Sequence, residues 1–549
     1  MQHLKIAFLM ISLMSVSLLS EAQHLSEKII NRPRLVVIIN IEQMRSDYIT
    51  RFSSKFQQNG FNRFLKNGTE CINAKMDLPT QNNIAGVATL FTGTYPDRHG
   101  IIDKTWYDRL KEKNIDALED TSYMTVGSDS EEGRKSSANL LNNTIGDEFK
   151  IQTNGMAKVF TVSLNDYSAV LSAGHTADGA YWLDEKTGKM ISSSYFSDSF
   201  PSWAFNFNEK KYAQFYMESK WEPLFDKKQY IESNKDKNPE EEGLYGKWKT
   251  FPYSLKKIYS EVGDYRILKA VPFGNDMVTD FSLSLISGEH LGIDENPDLL
   301  VVNYSSMDFA NSSFGPNSME MEDTYLCLDK NIQNLLNGID KSVGLNKVLV
   351  ILTSDCSSSC SVEYMKENFN LPVGYVHPEK MVALLKSYLN ITYGQGDWID
   401  YYTDQQIYLN RSLAGKKNID WRSFQTSVAS FINQFSGIRM ALPGFDLERG
   451  DYVKSQLTTL SRSYNFRRSG DIIFQLENGW QPKYKFKKIQ YSDNRHIPML
   501  WLGDWMRNCR DREKTDATDV VPTILEILGM EIPSYCEGRI LKEIIKDEK

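Results

Sequence analysis

Three acidic residues each close an apolar run rich in β-branched side chains. Glu42 follows LVVIINI (35–41), Asp308 ends PDLLVVNYSSMD (297–308) and Asp355 ends KVLVILTSD (347–355). Cys356 follows Asp355 directly. Carboxylates at the carboxyl ends of buried strands gather where open α/β sheets build their sites. Together with a thiolate they are the donors of a metal centre. Without a cation, the same groups repel one another. A helix cap explains one such acid by itself. Three in one chain point to a metal-site ancestry.

The elements that would position them follow from the same runs. Apolar stretches without alternation are strands buried on both faces. Helical patterns lie between them in GFNRFLKNG, EDTYLCLDKNIQNLLNGID and DVVPTILEILG. Strands alternating with helices predict an α/β fold with a largely parallel central sheet flanked by helices. Two polar, aromatic regions, about 183–270 and about 364–485, are expected as insertions or a cap. The second holds GQGDWIDYY. There is no internal repeat and no low-complexity tract.

The 549 residues are 41% hydrophobic and 12% aromatic, with a formal charge of −8, which fits a globular protein. The mild acidity argues against nucleic acid as the main partner. The first 22 residues have the form of a secretory signal peptide: Lys5, then AFLMISLMSVSLL, then SEA before Gln23. The mature chain, 23–549, is therefore expected to be exported, with the periplasm as its compartment and no membrane span after cleavage. An uncleaved anchor is the rival, although the apolar run is short for a span. Six cysteines permit disulfides in that compartment, with Cys356–Cys360 and Cys509–Cys536 as candidate pairs and buried free thiols as the alternative.

Longer stretches carry a family resemblance. IEQMRSDYITRF, LPT…TLFTGTYPDRHGI, LSAGHTADGAYW, VPFGNDMVTDFSL, FGPNSMEMEDTYLCLDKNI, ILTSD and TDATDVVPTILEILGMEIPSYCEGRIL run in the order found in the alkaline phosphatase superfamily. The chain most resembles its phosphate-irrepressible, PafA-type bacterial branch. The resemblance spans nearly the whole mature chain and implies the fold read above. It also implies two zinc ions, a threonine nucleophile and a phosphate grip of Lys, Arg and Asn.

Position by position, that machinery is altered. The family's first zinc-ligand Asp is Glu42 here. The nucleophile segment reads Pro79-Thr80-Gln81-Asn82-Asn83, which places Asn82 or Asn83 at the threonine position. An amide nitrogen, its lone pair delocalised, is no phosphoryl nucleophile, and Thr80 matches the turn of relatives. Asp308 survives, but the His that follows it in the family is Ser312. The family's Asp-His is Asp355-Cys356, and a Lys stands in KYKFKKIQYSDNR (483–495) at the last ligand His. The Lys-Asp-Arg grip is Asn165-Asp166-Tyr167, and the grip Asn falls in Asp103-Lys104-Thr105-Trp106, where Lys104 still offers a positive charge. His99 and His175 lie in scaffold motifs, and His290 and His377 in loop-like sequence. His496 is the one candidate for a substitute ligand.

The sequence therefore predicts an exported, catalytically inactive pseudo-phosphatase with no cofactor, acting as a binding protein for an unknown ligand or protein in the old cleft. The competing reading is a metal-dependent phosphoric mono- or diester hydrolase with a rebuilt site. There, Glu42, Asp308, Asp355 and Cys356 hold one metal, and water is the nucleophile.

Overall fold

The computed structural model describes residues 32–79, 82–238, 241–403, 405–448, 456–484, 492 and 494–546. The expected leader segment, Thr80 and the lysines at 485, 487 and 488 lie outside the described residues.

The apolar runs form the centre of a ten-stranded sheet. We label four of its strands: β1 (Leu35–Ile41), β2 (Val159–Val162), β3 (Asp298–Tyr304) and β4 (Val348–Thr353). β1 pairs in parallel with β3 on one side and β4 on the other, and β3 pairs in parallel with β2. Every residue of these four strands is buried, as their unbroken apolar character requires. Antiparallel strands lie toward the two edges. Asn40 and Asn303 face each other in register, and the Asn40 amide donates to Asn303 Oδ1 at 3.0 Å, while Asn40 Oδ1 is left buried without a partner.

Three helices carry residues to the strand ends: α1 (Asn83–Thr92), α2 (Asp166–Ala173) and α3 (Ser306–Phe314). β3 stops at Tyr304, four residues before the carboxylate read as closing that run. Asp308 instead occupies the first turn of α3, where an acid suits the helix dipole. Residues 183–270 supply Phe207, Trp221, Phe251 and Tyr253 to the core on one face of the sheet. A four-stranded antiparallel sheet (Ile399–Tyr402, Gln406–Leu409, Ile472–Leu476, Ile438–Pro443) has its own core, with Trp398 buried in it. Arg468 ties this unit to the main body, with Nη1 donating to the carbonyls of Gly100 and Asn139 at 2.7 Å. No helix among the described residues is long and apolar enough to cross a membrane. All six cysteines are free thiols.

A buried pair of acids away from the strand ends makes stability depend on pH. Tyr253 donates to Glu320 Oε1 at 2.5 Å, while Glu320 Oε2 and both oxygens of Glu241 are buried without a partner. Burial, and then Glu320, pushes Glu241 up to about 9; burial pushes Glu320 up to about 8. Both pKa values lie above those of the unfolded chain, so the folded state holds the protons more tightly. That contribution is complete below about pH 4.3, the unfolded glutamate value, and is lost as pH rises through about 8 to 9. Thermal unfolding midpoints are expected to fall by several degrees from pH 6 to pH 9, and Glu241→Gln should flatten the decline. A midpoint that rises over that interval would contradict it.

Candidate functional site

The parallel register of β1, β3 and β4 brings Glu42, Asp308 and Asp355 to one end of the sheet. What surrounds them decides what they can do.

Glu42 is fully buried and accepts four hydrogen bonds. Asn165 Nδ2 (2.8 Å) and the Tyr167 hydroxyl (2.7 Å) donate to Oε2. The hydroxyls of Ser168 (2.5 Å) and Ser305 (2.7 Å) donate to Oε1. Burial pushes Glu42 upward, and the four donors oppose that shift. Asn165 and Tyr167, at the positions of the family's phosphate grip, thus point inward at a carboxylate. Asn165 also begins α2, which carries Tyr167 and Ser168 in its first turn.

Gln43 sits at the centre. Its backbone has φ = 58°, a left-handed conformation rare for a residue with a side chain. Its N–H donates to Asp355 Oδ1 at 3.1 Å. Its side-chain amide donates to Asp308 Oδ1 at 2.6 Å and to Asn83 Oδ1 at 3.2 Å, and it accepts from Asn311 Nδ2 at 3.1 Å. Asn83 completes the lattice: its Nδ2 donates to Asp308 Oδ2 and to the Tyr167 hydroxyl, each at 3.2 Å, and its Oδ1 accepts from the Cys356 thiol at 3.2 Å. These contacts fix which end of each amide is oxygen.

The structure separates the two asparagines. Asn82 is the N-cap of α1: its Oδ1 accepts from the N–H groups of Ile84 and Ala85, and its Nδ2 donates to Asp103 at 3.0 Å. Asn83, one residue on, faces the carboxylates. Ser312 donates to the Phe309 carbonyl at 2.9 Å, a bond back into its own helix. Lys104 is exposed, and so is His496, which pairs with Lys75 through a backbone bridge. His99 is buried between Thr89 (3.1 Å) and the Ile101 N–H (3.1 Å), and His175 lies against Tyr195 (3.3 Å); both serve the scaffold.

Gln43, Asn311, Ser168 and Ser305 are the site residues that sequence reasoning missed. Gln43 stands beside Glu42 in the chain, but its role depends on a backbone turn that composition does not reveal. Asn311 sits five residues after Ser306, at the start of α3, with no signal of its own.

The remaining acids are pushed toward their neutral forms. Burial, and then Glu42, pushes Asp308 up to about 7. The same two causes push Asp355 far above the carboxylate range. Asp355 Oδ2 is buried without a hydrogen-bond partner. Burial, and then Asp355, pushes the Cys356 thiol up, away from the thiolate that would bind a metal.

A cleft of about 940 Å³ opens over this floor, with Gln43, Asn83 and Tyr167 at its base and Tyr401, Tyr402 and Tyr484 among its lining. A smaller pocket of about 130 Å³, rich in serine and asparagine, shares Gln43, Asn83 and Ser312 with it.

A family model described as type I phosphodiesterase / nucleotide pyrophosphatase matches residues 36–497. The chain belongs to this family. It is 32% identical to alkaline phosphatase PafA of Elizabethkingia meningoseptica, covering 94% of this chain and 95% of that protein. It is 30% identical to alkaline phosphatase PhoV of Synechococcus elongatus, covering 94% and 93%. The crystal structure of wild-type PafA matches with a TM-score of 0.87 at 31% identity, over 94% of this chain and 99% of that one. The relatives place this phosphodiesterase-family chain in a superfamily of phosphoric-ester hydrolases with a PafA-like fold. The two zinc ions that such a family implies do not fit the donors present. Each oxygen of Glu42 accepts two hydrogen bonds, which fills its acceptor sites, and the thiol of Cys356 acts as a donor. No group of three His, Cys, Asp or Glu suited to a metal occurs among the described residues.

Proposed function

We propose that this chain is an exported pseudo-phosphatase, a member of a hydrolase family whose site has become a rigid, metal-free binding floor. The observation that carries this reading is the amide lattice: Gln43 and Asn83 bridge Asp308, Asp355 and Cys356 and set N–H groups against carboxylate oxygens that would face a cation. A neutral amide stands where the nucleophile belongs, and the grip positions donate to Glu42 instead of to a substrate. Losing one transition-state donor commonly costs about 10²- to 10³-fold in rate. Losing nucleophile and grip together leaves no route to ordinary turnover.

One atom favours the rebuilt hydrolase, the unpartnered Oδ2 of Asp355, which has a free lone pair for a cation. Assays of the mature chain with p-nitrophenyl phosphate, bis-p-nitrophenyl phosphate and p-nitrophenyl sulfate, with and without added zinc, decide between the readings. Rates at the uncatalysed level are expected for all three. Zinc-stimulated turnover of any of them would establish the rebuilt site. Asn83→Thr, which restores a hydroxyl, is expected to stay at the uncatalysed level with p-nitrophenyl phosphate, because no metal activates it. A hundredfold gain in that variant would show that the metal positions are intact.

A further inference from the structure

Four acids gather near the Tyr253 hydroxyl, away from the strand ends. Asp236, Glu241 and Glu320 all act on that hydroxyl, and Asp323 lies one helical turn from Glu320. Two of the four have a donor on each oxygen. Asp323 accepts from Trp221 Nε1 and from the Leu224 N–H, each at 2.7 Å. Asp236 accepts from the Phe251 N–H at 2.9 Å and pairs with Lys227 at 2.7 Å. The other two are different. Glu241 is 2% exposed and Glu320 is fully buried, yet three of their four carboxyl oxygens meet no donor in hydrogen-bond geometry. Tyr253 holds the fourth, Glu320 Oε1.

The two carboxyls face each other: after burial, Glu320 is the strongest influence on Glu241, ahead of Asp236, and Lys249 and Asn238 oppose it only weakly. The Lys249 ammonium donates to the Glu241 backbone carbonyl at 2.6 Å. Bare carboxyl oxygens in the interior are costly and call for an occupant, a proton or a cation. Protons suffice at neutral pH. Once they leave, two adjacent carboxylates need a positive charge between them.

The chemistry selects the ion. Every open ligand atom is an oxygen, which suits calcium, whereas zinc favours nitrogen and sulfur. Two carboxylates neutralise one divalent ion. Calcium tolerates an irregular ligand set completed by water, while magnesium demands a near-ideal octahedron. Glu242, the next residue, is exposed, so the path from solvent is short.

We propose that Glu241 and Glu320 form a calcium site, separate from the cleft and independent of what the cleft binds. The test is isothermal titration of the full mature chain with calcium chloride at pH 8.5 and at pH 6. At pH 8.5 one ion per chain is expected to bind with a Kd of about 10⁻⁴ to 10⁻³ M, the weak end of calcium sites. At pH 6 affinity should fall at least tenfold, because both carboxyls then hold protons that the ion must displace. Magnesium should bind more weakly than calcium.

Glu241→Gln and Glu320→Gln should each weaken binding at pH 8.5 at least tenfold. Calcium at about 10 mM should also recover part of the fall in unfolding temperature between pH 6 and pH 9 in the wild type, and in neither variant. Should one variant fail to fold, the other is read in its place. Absence of calcium binding at pH 8.5, equal affinity at the two pH values, or undiminished binding in a folded glutamine variant would overturn the proposal. The last result would assign the ion to scattered surface acids.

Discussion

Glu42→Ala is expected to destabilise the protein by about 3–5 kcal/mol, a loss large enough to threaten folding. The sign is what matters. If the acids at the strand ends were a vacant metal centre, deleting one would relieve repulsion among like charges, and the metal-free protein would gain stability. The structure makes the opposite demand. Asn165, Tyr167, Ser168 and Ser305 all donate to Glu42, and its removal leaves four donors, three of them on buried residues, facing a cavity. Glu42→Gln is expected to be milder but still costly, because its NH₂ group must face two donors. Chemical denaturation of both variants, followed by near-UV circular dichroism, measures the effect. A gain in stability for Glu42→Ala would mean that the hydrogen-bond hub is not what holds this end of the sheet.

The second large effect falls on the cleft wall. Asp471 is buried in the smaller sheet and binds two arginines. Arg411 approaches Oδ1 at 2.6 Å, and Arg109, from the turn between the paired strands Thr105–Asp108 and Lys113–Asp116, at 3.2 Å; the Leu409 N–H donates to Oδ2 at 2.8 Å. Arg109 also donates to the Ser469 carbonyl at 2.8 Å and lies over the Tyr408 ring. Removing the carboxylate strands charges that are partly withdrawn from water. Asp471→Ala should cost about 3–5 kcal/mol, scaled down to the extent that Arg411 remains solvated. The damage should be local. Limited proteolysis is expected to cut within 399–476 before the ten-stranded core is touched, and the Tyr401 wall should lose its order with it. Equal resistance of variant and wild type would show that this unit is held by its apolar contacts alone.

Much of this arrangement was legible in the chain, for identifiable reasons. Unbroken β-branched runs announced β1, β3 and β4, because a strand buried on both faces leaves no room for alternation. Three acids at their ends announced a common site. The same residues concealed its nature. Whether a carboxylate repels, binds a cation or accepts hydrogen bonds depends on its neighbours in space, and Asn165, Tyr167, Ser168 and Ser305 approach Glu42 from two other segments of the chain. The choice between Asn82 and Asn83 needed the start of α1, where one residue turns its side chain back onto the helix and the next turns away. The bridging role of Gln43 hangs on a positive φ that no residue preference foretells. The aromatic stretch DWIDYY divided by position: Trp398 is buried in a core with Tyr402 packed against it, and Tyr401, its neighbour on the opposite face of the strand, lines the cleft.

The most direct test of the account is the zinc content of the mature chain, expressed by export, dialysed and measured by elemental mass spectrometry before and after incubation with zinc. The amide lattice predicts far less than one ion per chain in both samples, because four donors fill the acceptor sites of Glu42, amides from Gln43 and Asn83 hold Asp308, and Cys356 is a thiol donor. One or two tightly held ions per chain would contradict it, and would mean that Gln43 and Asn83 yield their places to a metal.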